Sequence, residues 1–155
     1  MYVINSETRK QHAIEIIPIE KSDYRIIPKS KFWFDWKQES SFEVYKLVLK
    51  ENQEILGLVS LNRFGKESRI KIRLLAASKE NRGKNKKYDR ITGNLLAFAG
   101  IESIKAYGAM ACISLIPKTA LISHYEEKYS MLQAGKSMFL EGMALLALIN
   151  EYDHE

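Results

Sequence analysis

The sequence predicts a mixed α/β fold with one central, mostly antiparallel sheet, a parallel crossover and flanking helices. Two runs rich in β-branched and apolar residues, 42–49 and 54–61, are separated by a short polar turn and predict an antiparallel hairpin. The strictly alternating run 69–74 predicts a half-buried strand that is basic on one face. A helical pattern over 89–106 and a short apolar run over 111–116 follow, which predicts that the chain returns to the sheet as a parallel strand.

The composition is that of a globular protein. The chain has 155 residues, of which 46% are hydrophobic and 28% charged, and this suits a single domain over residues 1–155. No internal repeat, low-complexity stretch or proline-rich linker marks a domain boundary. The 24 basic and 19 acidic residues give a net charge of +5, which fits a phosphate-bearing ligand but is too small by itself to predict nucleic-acid binding.

The cysteine, histidine and hydropathy patterns indicate where the protein is located and whether it binds a metal ion. With the single cysteine Cys112 the chain can form no internal disulfide, and the first 20 residues contain no long apolar segment. We therefore expect a cytoplasmic protein that does not insert into a membrane. The histidines His12, His124 and His154 are scattered and show no metal-ligand spacing, so no metal site is expected. Cys112 lies in an apolar run, where a free cysteine usually serves as a small packing residue.

The first half of the chain contributes strands and an aromatic cluster. Residues 12–19 are rich in isoleucine and predict a strand that ends near Pro18. Pro28 interrupts residues 26–36, where four aromatic side chains follow: Phe32, Trp33, Phe34 and Trp36. These rings either close one end of the core or form part of a substrate-pocket wall. Gly57, inside the second hairpin strand, predicts a bulge or a close approach of another element.

The second half predicts three helices around two strands. In the 89–106 helix, four apolar residues recur at helical spacing, namely Ile91, Leu95, Phe98 and Ala99. Residues 111–116 predict a buried strand, 118–129 a second helix and 136–140 a last strand. Residues 143–152 are apolar and rich in helix formers, so they predict a closing helix that packs either on the core or on a second copy of the chain.

The segment between the alternating strand and the first long helix has the features of an anion-binding loop. It contains Gly83 and four basic residues: Arg82, Lys84, Lys86 and Lys87. It leads into a helix N-terminus, whose first N–H groups lack intrahelical partners. Asp89 is a candidate N-cap for that helix, which would place a bound anion on the backbone before it. The alternative is a solvated basic loop without a ligand.

This order of elements resembles the GCN5-related N-acetyltransferase family from about residue 44 to residue 140. The stretch Asn81-Arg82-Gly83-Lys84 is similar to the start of the family's Arg/Gln-x-x-Gly-x-Gly/Ala loop, and Leu95, Leu96 and Ala99 match the helix after it. The resemblance implies that the strand end presents its backbone to the pantetheine arm of acetyl-CoA, while the loop binds the pyrophosphate. The implied cofactor-binding residues are Leu75, Ala76, Ala77, Asn81, Arg82, Gly83, Lys84, Asn85, Lys86 and Lys87. The family's second glycine is absent here, and the loop is longer.

A second similar segment, residues 121–131, carries the implied catalytic residue. His124 and Tyr125 stand at the family's Phe-Tyr position, Lys128 matches its lysine, and Ser130-Met131 replaces its Gly-Phe. The resemblance implies that Tyr125 is the general acid that protonates the departing CoA thiolate, which is chemically reasonable for a phenol. A backbone N–H near Leu75 would polarise the thioester carbonyl.

The general base is less clearly marked, because the strand before the loop carries no carboxylate. Glu80 and His124 are the two candidates, and either could act through a water molecule. The alternatives are a solvated loop carboxylate and a helix-surface imidazole.

Three functions follow from these patterns. The first is an N-acetyltransferase that moves an acetyl group from acetyl-CoA directly to a primary amine on a small molecule or peptide, with a homodimer as one possible assembly. The second is a catalytically inactive binding protein of the same fold, suggested by the altered loop. The third, less favoured, is a nucleic-acid-binding module that uses the basic strand face of Arg69, Lys71 and Arg73.

Overall fold

A computed structural model describes residues 1–153 of the chain. The described strands are β1 Tyr2–Asn5, β2 Gln11–Pro18, β3 Glu43–Leu49, β4 Ile55–Phe64, β5 Arg69–Ala77, β6 Tyr88–Asp89, β7 Cys112–Leu115, β8 Leu132–Ala134 and β9 Ser137–Glu141. The described α-helices are α1 Lys29–Phe32, α2 Ile91–Tyr107, α3 Ile122–Tyr129 and α4 Gly142–Tyr152. Short 3₁₀ turns connect several of them, including one over Lys79–Asn81 that follows β5.

The strands hydrogen-bond in the order β6-β1-β2-β3-β4-β5-β7-β9-β8. Strands β5 and β7 run parallel, with Arg69 opposite Cys112 and Ile72 opposite Leu115. Strand β9 pairs antiparallel with both β7 and β8. A mixed sheet with a parallel pair joined through helix α2 is the predicted fold class, and the prediction is confirmed.

The chain forms two compact units. The first comprises Met1–Ser60 and Leu74–Leu95, and the second comprises Leu61–Arg73 and the described chain from Leu96 onward. The core cluster of the first unit contains Ile27, Phe32, Trp36, Val44, Val48, Ile55 and Leu58. Two rings of the aromatic cluster, Phe32 and Trp36, are therefore core residues, while the side chain of Trp33 stays 44% exposed.

Close helix packing shapes both units at glycine positions. In the first unit, a Cβ atom on Gly57 would lie 2.8 Å from Cγ2 of Ile91 and 3.2 Å from Cδ1 of Leu95. The close approach predicted at Gly57 is thus confirmed. In the second unit, a Cβ atom on Gly100 would lie 2.9 Å from Cδ1 of Leu145 on α4. Helix α4 buries Leu145, Leu148 and Tyr152, so it packs on the core, and it leaves Met143 and Leu146 exposed.

The start of helix α2 differs from the prediction. Asp89 is not its N-cap: it lies in β6 and pairs with Ile4 of β1, and its Oδ1 accepts a hydrogen bond from the N–H of Arg90 at 2.9 Å. Pairing with β1 holds Asp89 in an extended conformation. Arg90 then adopts a φ of +82°, and the helix begins at Ile91.

Three short strands, β1, β6 and β8, had no clear signal in the sequence. The predicted helix over 118–129 begins as a 3₁₀ turn, Thr119–Leu121, before it continues as α3. Within residues 1–153, no helix is long and apolar enough to cross a membrane.

Candidate functional site

The predicted anion loop is braced at its neck by one buried side chain. Asn81 is 5% exposed; its Nδ2 donates to Oγ of Ser78 at 2.8 Å, and its Oδ1 accepts from the N–H of Tyr88 at 2.8 Å. The N–H of Lys87 also donates to the carbonyl of Glu80 at 3.0 Å. These bonds cross from one end of the loop to the other, so they hold the two ends together. Because the Asn81 side chain is hydrogen-bonded to Ser78 and Tyr88, only the backbone of Asn81 could contact a ligand.

The tip of the loop presents backbone donors and positive charge. Gly83 has a φ of +79°, a conformation that favours glycine. Within residues 1–153, the N–H groups of Gly83, Lys84 and Asn85 make no hydrogen bond to another backbone group. Arg82 and Lys84 are exposed beside them. Successive N–H groups next to cationic side chains are the kind of donors that bind anions such as phosphate.

The far end of the loop is attached to the N-terminal strand. The N–H of Ser6 donates to the carbonyl of Lys87 at 2.9 Å, and Asn5 of β1 pairs with Tyr88 of β6. The two remaining lysines of the loop have partners within it. Nζ of Lys86 lies 3.0 Å from Oδ1 of Asp89, and Nζ of Lys87 lies 5.6 Å from the centroid of the Tyr88 ring. Lys84 is therefore the lysine of the loop with the most freedom to reach a ligand.

The end of β5 leads directly into this loop. Leu75 and Ala76 are half-buried, and Ala77 is buried. The indole Nε1 of Trp33 donates to the carbonyl of Ala77 at 3.1 Å, and the N–H of Ser78 donates to the carbonyl of Leu56 at 3.0 Å. The side chain of Trp33 thus contacts the strand end for which the family resemblance implies a contact with pantetheine.

Two carboxylates of the first unit, those of Glu80 and Glu39, differ in their surroundings. Oε1 of Glu80 lies 3.7 Å from Nζ of Lys31, and the Glu80 side chain is 43% exposed. Glu39, which the sequence analysis missed, is 4% exposed and accepts a hydrogen bond from Oγ of Ser60 at 2.9 Å. Glu39 lies in a polar stretch whose sequence is typical of a surface turn. Its only sequence signal is the spacing of three residues from the buried Trp36 on one 3₁₀ turn.

The second unit contains α3 and the predicted general acid. Tyr125 is half-buried, and its ring centroid lies 5.9 Å from that of His124 and 6.0 Å from that of Tyr129. His124 is exposed on the helix surface. Ser130, which replaces the family's glycine, ends the helix with a φ of +59°, the left-handed conformation that glycine adopts readily. The helix therefore ends as the family pattern implies, although the residue differs.

Other candidate chemistry in the second unit is limited. Burial, and to a lesser degree the nearby charge of Glu141, raises the pKa of the Cys112 thiol, which disfavours the reactive thiolate. On the basic strand face, Arg69 forms an ion pair with Glu67 and donates to Oγ of Ser114 at 2.8 Å. Among residues 1–153, no group of three or more His, Cys, Asp or Glu side chains could hold a metal ion; His154 lies outside the described residues.

Sequence comparison identifies no relative of this chain. No protein-family model matches it, and no curated protein sequence matches it.

Comparison with solved structures gives clear matches. A bacterial toxin has a TM-score of 0.63 and 11% sequence identity, and the match covers 93% of this chain and 99% of the toxin. A mutant of SpeG spermidine N-acetyltransferase from Vibrio cholerae has a TM-score of 0.62 and 12% identity, with coverages of 86% and 96%. A candidate streptothricin acetyltransferase from Bacillus anthracis strain Ames, solved in complex with acetyl coenzyme A, has a TM-score of 0.61 and 13% identity, with coverages of 83% and 98%.

Identities this low carry no information about individual residues, but the matches extend over nearly the whole length of each solved chain. The order of strands and helices and the parallel β5–β7 pair agree with these neighbours. The chain therefore has the fold of the GCN5-related N-acetyltransferases.

Proposed function

We propose that this protein transfers an acetyl group from acetyl-CoA to a primary amine by direct transfer. The observation that carries the proposal is the braced basic loop at the end of β5, in a fold shared with solved acetyltransferases. Backbone N–H groups at Gly83, Lys84 and Asn85, together with the charges of Arg82 and Lys84, would hold the diphosphate of the cofactor. That a neighbour of this fold was solved with acetyl coenzyme A supports the choice of cofactor.

In this reaction the amine nitrogen attacks the thioester carbonyl carbon. The C–N bond forms, the C–S bond breaks, and the CoA thiolate leaves. A backbone N–H near Leu75 stabilises the negative charge that develops on the carbonyl oxygen. Tyr125 donates its phenolic proton to the departing thiolate and regains a proton from solvent. The attacking nitrogen loses its extra proton to a base, directly or through water.

Three groups are candidates for that base. Glu80 and His124 come from the sequence, and the structure adds the buried carboxylate of Glu39. Replacing each by glutamine removes its proton-accepting function with little change in volume. We expect one of the three variants to lose the acidic limb of the pH–kcat/KM profile, and that variant identifies the base.

The cofactor step is tested by a thermal-shift titration with acetyl-CoA and with CoA. At about 100 times its Kd, a ligand adds about 2.7 kcal/mol to the free energy of unfolding. We expect the wild type to show this stabilisation and an Arg82→Ala/Lys84→Ala variant to lose much of it. The matched control, Lys50→Ala/Lys66→Ala, removes two exposed lysines from other turns and should behave like the wild type. Equal stabilisation of both double variants would contradict the assignment of the loop.

The alternative function is that of an inactive binding protein with the same fold, favoured by the missing second glycine at Asn85. Thiol release from acetyl-CoA in the presence of a panel of small-molecule and peptide amines separates the two functions. A protein that binds CoA but acetylates no amine in the panel would support the alternative.

A further inference from the structure

Trp33 is the exposed member of an aromatic cluster that otherwise belongs to the core. It directly follows α1 and has a φ of +69°. Its neighbours Phe32 and Trp36 are 0% and 1% exposed, so they anchor the segment on both sides of it. Trp33 itself is 44% exposed. Its contacts indicate a role for the ring.

The contacts of Trp33 are directed at the end of β5 and the start of the basic loop. Its Nε1 donates to the carbonyl of Ala77 at 3.1 Å. Nζ of Lys79 lies 4.8 Å from the centroid of the indole, and Cζ of Arg82 lies 4.5 Å from it. Beside the ring, Lys31 on α1 forms the 3.7 Å ion pair with Glu80. The segment around Trp33 is thus attached to four of the six residues from Ala77 to Arg82.

Local backbone geometry explains how two cations reach one ring. Residues Lys79–Asn81 form a 3₁₀ turn, and Arg82 is its C-terminal cap. A 3₁₀ helix has three residues per turn, so side chains at positions i and i+3 eclipse each other. Lys79 and Arg82 therefore project on the same side, toward the indole. The hydrogen bond to Ala77 fixes the ring on the backbone at the start of this turn.

We propose that Trp33 is a positioning residue for the diphosphate of the cofactor, an inference that rests on the proposed function. Its ring holds the guanidinium of Arg82 and the ammonium of Lys79 close together at the loop. A cation pair held this way attracts a polyanion, because a bound diphosphate offsets the repulsion between the two charges. Ordering both long side chains before binding removes part of the entropy that they would otherwise lose on binding.

The test compares CoA and 3′-dephospho-CoA, which both carry the diphosphate, with pantetheine, which carries no phosphate, in variants of Trp33. From typical cation–π strengths at exposed sites, we expect Trp33→Leu to weaken CoA binding about 5- to 30-fold. Trp33→Phe keeps a ring but loses the Nε1 donor, and it should weaken CoA binding only about 2- to 5-fold. Both variants should lose less affinity for pantetheine than for CoA or 3′-dephospho-CoA. The matched control is Phe64→Leu, which removes another exposed ring with an arginine over it, since Cζ of Arg69 lies 4.4 Å from the Phe64 centroid.

Fluorescence provides a readout that a purely structural role would not affect. The chain has two tryptophans, and Trp36 is buried in the core. CoA should therefore change the emission of the wild type through Trp33, and this change should disappear in Trp33→Phe. Thermal unfolding of each variant without ligand shows whether it folds.

The possible outcomes separate this inference from the proposed function. CoA affinity that is unchanged in Trp33→Leu, or an equal loss for CoA and pantetheine, would overturn the inference, even if the enzyme transfers acetyl groups. Affinity that depends on Trp33 in a protein that acetylates no amine would support the inference and overturn the proposed function. A wild type that binds no CoA would overturn both.

Discussion

Removing one oxygen atom from Tyr125 tests the proposed proton donor. Tyr125→Phe keeps the ring contacts with His124 and Tyr129 and removes only the phenolic hydroxyl group. General acids typically contribute 10²- to 10⁴-fold, so we expect kcat to fall about 100-fold while the Kd for CoA stays the same. The measurement is steady-state kinetics with an accepted amine, alongside CoA binding.

The matched control for that variant is Tyr107→Phe, which removes the same atom from a half-buried tyrosine at the end of α2. Its kcat should stay close to that of the wild type. Full activity in Tyr125→Phe would show that another group, or solvent, protonates the thiolate.

At the same scale, Glu39 contributes to stability whatever its part in proton transfer. The hydroxyl of Ser60, in a residue that is 0% exposed, donates to Oε1 of Glu39. Glu39→Ala leaves that buried hydroxyl without this acceptor, which should lower the free energy of unfolding by about 1–3 kcal/mol. Glu39→Gln keeps an acceptor oxygen and should lower it by less. Urea denaturation measures the free energy of unfolding of the two variants. Equal losses in the two would show that the hydrogen bond from Ser60 is not the source of the stabilisation by Glu39.

At the scale of secondary-structure elements, the packing of α2 against β4 depends on the absence of a side chain at Gly57. A Cβ atom there would meet Cγ2 of Ile91 at 2.8 Å and the carbonyl oxygen of Ala76 at 3.3 Å. Overpacking of this kind typically costs about 1–3 kcal/mol, and we expect Gly57→Ala to lower the free energy of unfolding by that amount.

Gly65→Ala is the control for this substitution, because nothing lies within 4 Å of a Cβ atom at Gly65 and its φ is not in the left-handed region. Its unfolding free energy should stay within about 0.5 kcal/mol of the wild type. Thermal or urea denaturation measures both variants. Similar values for the two would mean that α2 can shift to accept the methyl group.

The elements that the sequence predicted are those with a long apolar run or a strict alternation. The hairpin β3–β4, helix α2 and strand β7 have such runs and are buried over much of their length, while β5 alternates and buries Ile70 and Ile72. Strands β1, β6 and β8 have two to four residues each, too few for a period to show. Strand β6 also depends on a distant partner, since it pairs with β1, whereas β8 pairs with the adjacent β9.

Some residues of the candidate site could also be predicted from the sequence, and others could not. Gly83 and the basic residues of the loop were predictable, because a positive φ and a concentration of charge leave a local signal. The inward-facing side chain of Asn81 and the buried carboxylate of Glu39 were not predictable, because their partners lie seven and 21 residues away. The prediction of Asp89 as an N-cap was wrong for the same reason. Asp89 pairs with Ile4, and this pairing overrides the preference of aspartate for an N-cap position.

At the scale of the whole molecule, Cys112 reports on cooperative opening. The thiol is buried in β7, and burial raises its pKa, so at pH 8 the folded protein holds less thiolate than the unfolded chain. We expect a thiol reagent such as DTNB to label the native protein at least about 100-fold more slowly than the protein in guanidinium chloride.

An exposed thiol supplies the control. Ser22→Cys in a Cys112→Ala background should react rapidly in the native state, because residue 22 is exposed. Native labelling of Cys112 at the rate of this control would show that β7 is accessible without unfolding.

The attachment of the basic loop to β1 couples two stretches that are distant in the sequence. Residues 1–6 supply the pairing partner of Tyr88–Asp89 and the N–H that binds the carbonyl of Lys87. Deleting them would leave the far end of the loop untethered while the Asn81 brace stays in place. If the loop binds CoA as proposed, a mutation in β1 would therefore weaken that binding from outside the loop.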